Sequence, residues 1–153
     1  MTKLFYSYCH ADEQFRDRME KTLSLLRRNE GLNEWHDRKI TPGAHIKNTV
    51  RSHIDTSEIA IFLISPDFID SEACVEEWLY CRRLAKANQL SMVSIIVRAC
   101  EWTDFYDIQE YLALPKDGTP VSRWEDTDEA WHDVYIGIKS VVLDRKKKLR
   151  APD

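Results

Sequence analysis

The sequence predicts an α/β fold, an open parallel sheet of five strands with helices on both faces. Strand-like and helix-like segments alternate five times along the chain, the pattern left by repeated strand–helix–strand units. Two strand-like segments, EIAIFLIS (58–65) and SMVSIIV (91–97), are almost wholly apolar, as strands buried on both faces must be. The length of 153 residues fits one domain with a sizeable core.

KLFYSY (3–8) reads as the first strand, rich in aromatics. Asp12 stands where a helix N-cap belongs, and Phe15, Met19, Leu23 and Leu26 then recur at helical spacing. Gly31 marks the end of that helix. LNEWH (32–36) reads as the second strand, followed by a polar loop, DRKITPGAH, with a Pro-Gly turn at 42–43. Ile46, Val50 and Ile54 mark a second helix, and 58–65 the third strand, which Ser65-Pro66 terminates. Residues 71–89 read as a third helix and 91–97 as the fourth strand. Segment 99–118 is irregular and aromatic-rich, PVS (120–122) is expected to be a short last strand, and 126–143 a closing helix with Ala130, Val134, Ile138 and Val141 on one side. Trp102, Trp124 and Trp131 read as packing residues. RKKKLR (145–150) has two readings: a solvated helix end, since cations suit that end, or the start of a linker. The domain is accordingly drawn as 1–143, with 144–153 a basic tail or linker.

Composition excludes several classes of function. The formal charge of −4 gives no reason to expect a nucleic-acid partner. No apolar run approaches the ~20 residues of a membrane span. Met1-Thr2-Lys3 leads straight into strand-like sequence, so no signal peptide is expected, and a cytoplasmic location is. Cys9, Cys74, Cys81 and Cys100 are scattered without C-x-x-C pairing; reduced thiols are expected and no metal site. Neither G-x-G-x-x-G nor G-x-x-x-x-G-K-[ST] occurs. Ser7, His10 and Asp12 crowd one turn, too close for triad geometry, and no G-x-S-x-G elbow is present. A receiver domain would carry a phosphoacceptor Asp at the end of the third strand, where this chain has Ser65.

In an open α/β sheet, ligands gather beyond the carboxyl ends of the strands. Three segments should crowd that edge: 7–12, the loop 37–45, and 65–77. The last contains two adjacent acids in SEACVEEW (71–78). On a helical wheel of about 100° per residue, Cys74, Val75, Trp78, Cys81 and Ala85 form the apolar face. Glu76 projects almost opposite it, into water. Glu77 lies about 90° from the face centre, on a shoulder stripe shared with Ala73 and Tyr80. Two readings stand for these acids: both merely favour the helix N-terminus, or Glu77 lines a cleft.

Four segments, in order, resemble a TIR domain: FYSYCHAD (5–12), WHDRKITPG (35–43), IAIFLISPDFIDSEACVEEW (59–78) and ALPKDGTPVSRWEDTDEAW (113–131). The resemblance covers almost the whole chain. It implies a flavodoxin-like three-layer sandwich. Many bacterial and plant members, and one animal branch, cleave NAD at the nicotinamide–ribose bond. The catalytic glutamate of their S-x-x-C-x-x-E motif corresponds to Glu77. By resemblance Ser7, Tyr8, His10 and Asp12 floor a substrate site, with Asp37 beside it. Asp12 as a simple cap and Tyr8 as core stand as the alternatives. Trp35 either stacks on a base or is buried. Many enzymatic members carry Trp where this chain has Ala73, and Trp78 falls on the apolar face.

The expected activity is therefore that of an NAD+ glycohydrolase or cyclase, a bacterial anti-phage effector with NAD+ as substrate rather than cofactor. The resemblance also implies self-association through the loop carrying Ile40, Pro42 and Gly43, and a fused or associated sensor domain. A non-enzymatic TIR–TIR scaffold is the second expectation.

Overall fold

The computed structural model describes residues 1–36 and 46–150. Its strands are β1 (Thr2–Ser7), β2 (Leu32–Trp35), β3 (Ile59–Ile64), β4 (Ser91–Ile96) and β5 (Leu112–Leu114). Its α-helices are α1 (Glu13–Thr22), α2 (Ser24–Glu30), α3 (Ile46–Asp55), α4 (Pro66–Asp70), α5 (Glu72–Lys86) and α6 (Thr127–Arg150). All five strands join one parallel sheet in the order β2-β1-β3-β4-β5. The expected sheet is therefore present. Its order reverses at the β1/β3 junction, the place where such folds open a crevice.

Alternation along the strands assigns each side chain to a layer. Leu4 and Tyr6 of β1, with Ile59, Ile61 and Leu63 of β3, meet Met19, Leu23 and Leu26 on one side; Ala130, Val134 and Ile138 of α6 complete that layer. Phe5, with Ala60, Phe62 and Ile64, faces the opposite layer of Val50, Ile54, Phe68, Cys74, Trp78 and Cys81 from α3, α4 and α5. Two apolar layers on one sheet make the three-layer sandwich. Burying the aliphatic and aromatic side chains of each layer contributes roughly 1.5–3 kcal/mol apiece.

Local chemistry sets the boundaries. Gly31 ends α2 at φ +70°, a conformation glycine adopts without a Cβ penalty. Between α1 and α2 the predicted single helix is interrupted at Leu23, whose amide still bonds the Met19 carbonyl at 3.0 Å. Ser65 does more than end β3: its Oγ accepts from the Phe68 amide at 3.1 Å, capping α4 with Pro66 in the first turn. Ser71 caps α5 in the same way, through the Cys74 amide.

One expectation is corrected. Residues 120–122 are not the last strand; Val121–Arg123 form a 3-10 turn, and β5 at 112–114 pairs with β4 instead. Pro120 has no amide hydrogen for a ladder; the Ser122 amide bonds the Val97 carbonyl, and Val121 packs into the core beside the sheet. On the closing helix Ala130, Val134 and Ile138 are fully buried as expected, Val141 packs partly buried against the same core, and Val142 is fully buried beside them. That helix runs through the basic segment. Arg145 is buried and donates to the Gln89 carbonyl, and Lys146 pairs with Glu30 at 3.3 Å. Among the described residues no helix is long and apolar enough to cross a membrane.

Candidate functional site

Ser7 ends β1 on the same face as Phe5, pointing toward the α3–α5 layer, and is 1% exposed. Its hydroxyl donates to the Glu77 carboxylate at 3.3 Å. Glu77 is half-buried, whereas Glu76 is 61% exposed and pairs with Lys47 at 3.7 Å. The shoulder geometry read from helical spacing is thus realised: one acid faces the protein, its predecessor faces water.

A cavity of about 250 Å³ opens beside Glu77. α3 lines it with Lys47, Val50, Arg51 and Ile54, and α5 with Ala73, Glu76, Glu77 and Tyr80. Both sets have the spacing i, i+3, i+4, i+7, so each helix presents one stripe. The two stripes face each other. Tyr80 ties the walls together by donating its hydroxyl to Asp55 at the end of α3. The Arg51 guanidinium lies 4.8 Å from the Tyr80 ring centroid and that of Arg83 5.3 Å from it. The bond to Asp55, then burial, raises the phenol pKa above its ordinary value. One turn beyond Glu77, burial pushes the Cys81 thiol pKa well up, and the nearby Glu77 charge adds to it.

A second polar cluster sits at the same sheet edge. Asp12 is fully buried and accepts from the Ser65 hydroxyl and, at 2.9 Å, from Nε of Arg98; the guanidinium's other arm pairs with Asp67. Asp12 makes no side-chain cap on α1. Its carboxylate instead joins the ends of β1, β3 and β4.

The remaining predicted residues are dispersed. Tyr8 packs in the opposite, α1–α6 layer, edge-on to His36 with ring centroids 5.9 Å apart. Trp35 is buried, stacked between Phe5 at 5.9 Å and His53 at 4.0 Å, which matches the buried reading rather than base stacking. His10 is exposed on the 3-10 turn His10–Asp12. Asp37, Ile40, Pro42 and Gly43 lie outside the described residues. The structure therefore brings Ser7, Ala73, Glu77 and Tyr80 together, and sets Tyr8 apart from them. Sequence reading missed the α3 wall, though its stripe 47–50–51–54 was available from periodicity. It also missed Asp67 and Arg98, for which no local signal exists.

The sequence pattern of the family described as TIR domain matches residues 4–130. The chain is 38% identical over 153 residues to an uncharacterized protein, y4lF, of Sinorhizobium fredii (strain NBRC 101917 / NGR234). That match spans 99% of this chain and 47% of the relative, so the chain covers about half the relative's length. Two solved structures share the fold. The TIR domain of the Toll-related receptor TRR-2 from Hydra magnipapillata aligns over 89% of this chain and 97% of its own, with TM-score 0.57 and 23% identity. The TIR domains of the activated Roq1 resistosome, which directly recognises the pathogen effector XopQ, align over 97% and 99%, with TM-score 0.52 and 15% identity. With its family pattern matched over most of its length and its sheet shared with these structures, the chain belongs to the TIR domain family.

Proposed function

We propose that this chain cleaves NAD+ at the nicotinamide–ribose bond, with Glu77 as the catalytic carboxylate. The observation that carries the reading is the Ser7–Glu77 pair: a half-buried carboxylate, held by a buried hydroxyl, on the wall of a cavity. Cleavage of an ordinary glycoside needs a second carboxyl group to protonate a poor leaving oxygen. The pyridinium of NAD+ takes the electrons of the breaking C1′–N bond onto its own nitrogen and departs neutral. One anion then suffices. Glu77 holds the ribose diol and stabilises the oxocarbenium-like charge, an effect strengthened as water leaves the cleft. Water attacking C1′ yields ADP-ribose and a proton; attack by a nucleophile of the same ADP-ribosyl group yields a cyclic isomer.

In this proposal self-association switches the enzyme on, and depleting NAD+ or releasing a signal nucleotide serves bacterial anti-phage immunity. The activated resistosome among the fold's neighbours supports an assembled active form. A relative about twice as long supports a fused sensor. The test is nicotinamide release from NAD+ by assembled wild type and Glu77→Ala. Release by wild type, lost in the variant, is expected; an assembled wild type that releases none overturns the reading.

One observation favours a non-enzymatic scaffold as the second reading. Ala73, exposed at the cavity rim, supplies no aromatic platform, and the Tyr80 ring carries two nearby guanidinium groups. A scaffold would co-sediment with its partners after Glu77→Ala and fail to do so after Pro42 or Gly43 changes.

A further inference from the structure

Two cations sit on the α3 wall of the cavity, and they are not equivalent. Lys47 is matched by Glu76 at 3.7 Å. Arg51 has no ion-pair partner among the described residues; its guanidinium lies over the Tyr80 ring. A guanidinium over an aromatic ring uses its face and keeps its N–H edges for an anion. Tyr80 is itself fixed by its bond to Asp55, and Arg83 adds a second positive charge beside the same ring. The wall between is apolar, from Val50, Ile54 and Ala73, which lowers the local dielectric and strengthens any ion bound there. Glu77 supplies the opposite charge on the facing helix. The cavity thus has a negative pole at Glu77 and a positive pole at Arg51.

We infer that Arg51 is the phosphate-binding residue of this cavity, held in place by Tyr80, and that it selects ligands carrying a phosphate or diphosphate next to a sugar. The inference rests on the proposed function for the identity of the ligand and not for the presence of the anion site. A cavity of about 250 Å³ is smaller than most sites for whole drug-sized ligands. It suits the ribose-phosphate portion of a dinucleotide, with the sugar toward Glu77.

The experiment is calorimetric titration of ADP-ribose into wild type, Arg51→Ala, Arg51→Lys and Arg28→Ala. The last removes an exposed cation from α2, remote from the cavity. Arg51→Ala should weaken binding about tenfold, the loss expected for one charge-assisted hydrogen bond. Arg51→Lys should recover part of it, and Arg28→Ala should bind as wild type does. Where nicotinamide release is measurable, Arg51→Ala should raise KM for NAD+ and leave kcat in place. Equal affinity for wild type and Arg51→Ala, an equal loss in Arg28→Ala, or no binding by wild type overturns the inference. ADP-ribose binding that depends on Arg51 in a protein that cleaves no NAD+ sustains it while the proposed function falls.

Discussion

Ser7 is small, buried and bonded to a carboxylate, and its contribution is to orient rather than to react. Ser7→Ala should leave the fold intact and slow nicotinamide release about fivefold, the rate equivalent of about 1 kcal/mol; steady-state kinetics beside an unchanged urea midpoint would show it. Asp12 is the reverse case. Its carboxylate is enclosed and serves Ser65 and Arg98 together. Asp12→Ala leaves a buried hydroxyl without its acceptor and an arginine short of a partner, so urea unfolding should register a loss of about 3 kcal/mol. Cys81 gives a pH signature. Its thiol pKa is raised in the folded protein, first by burial and then by Glu77. Above the ordinary thiol value of about 8.5 the unfolded chain holds fewer protons than the folded one. Stability from this group is therefore complete below that pH and declines as pH rises past it. Cys81→Ala should show a shallower alkaline decline than wild type in denaturation curves taken from neutral to alkaline pH.

Among the elements, the caps and corners carry the most specific demands. Ser65 caps α4 and bonds Asp12, so Ser65→Ala should cost about 2 kcal/mol by urea denaturation, more than an isolated cap. Gly118 sits at φ +72° against the Trp102 indole, where a Cβ would collide with the ring. Gly118→Ala should therefore destabilise by about 3 kcal/mol, combining backbone strain with overpacking, readable as a fall in Tm. The central strands were legible in the sequence because burial on both faces leaves continuous apolar runs, as in 58–65 and 91–97. β5 was not: it is three residues long, and Leu112 is exposed at the sheet edge, so no run or alternation marks it. Glu77 was legible because one helix's own periodicity fixes its direction. Arg51 and Arg98 were not, because their meaning comes from partners on other elements: Tyr80 for the first, Asp12 and Asp67 for the second. Asp12 holds the N-cap position of α1, as expected, but its side chain makes no capping bond there, for a related reason. A carboxylate near a helix start serves the backbone unless tertiary partners claim it, and here Ser65 and Arg98 do.

At the scale of the whole molecule, the proposed mechanism ties activity to assembly. Nicotinamide release per molecule should climb with protein concentration, in step with the sedimenting fraction; constant specific activity across that range would separate catalysis from association. The site itself follows from the sheet. Alternation sends Phe5 and Ser7 toward α5, and Leu4, Tyr6 and Tyr8 toward α1 and α6. Side chains of a strand take turns in strict odd and even order. Deleting one residue ahead of Ser7, with the amino end of β1 held in register, would present a phenol, that of Tyr8, beneath Glu77 and send the serine to the wrong layer. A one-residue deletion in six residues of chain would thus erase the carboxylate's anchor without touching a single residue of the cavity wall.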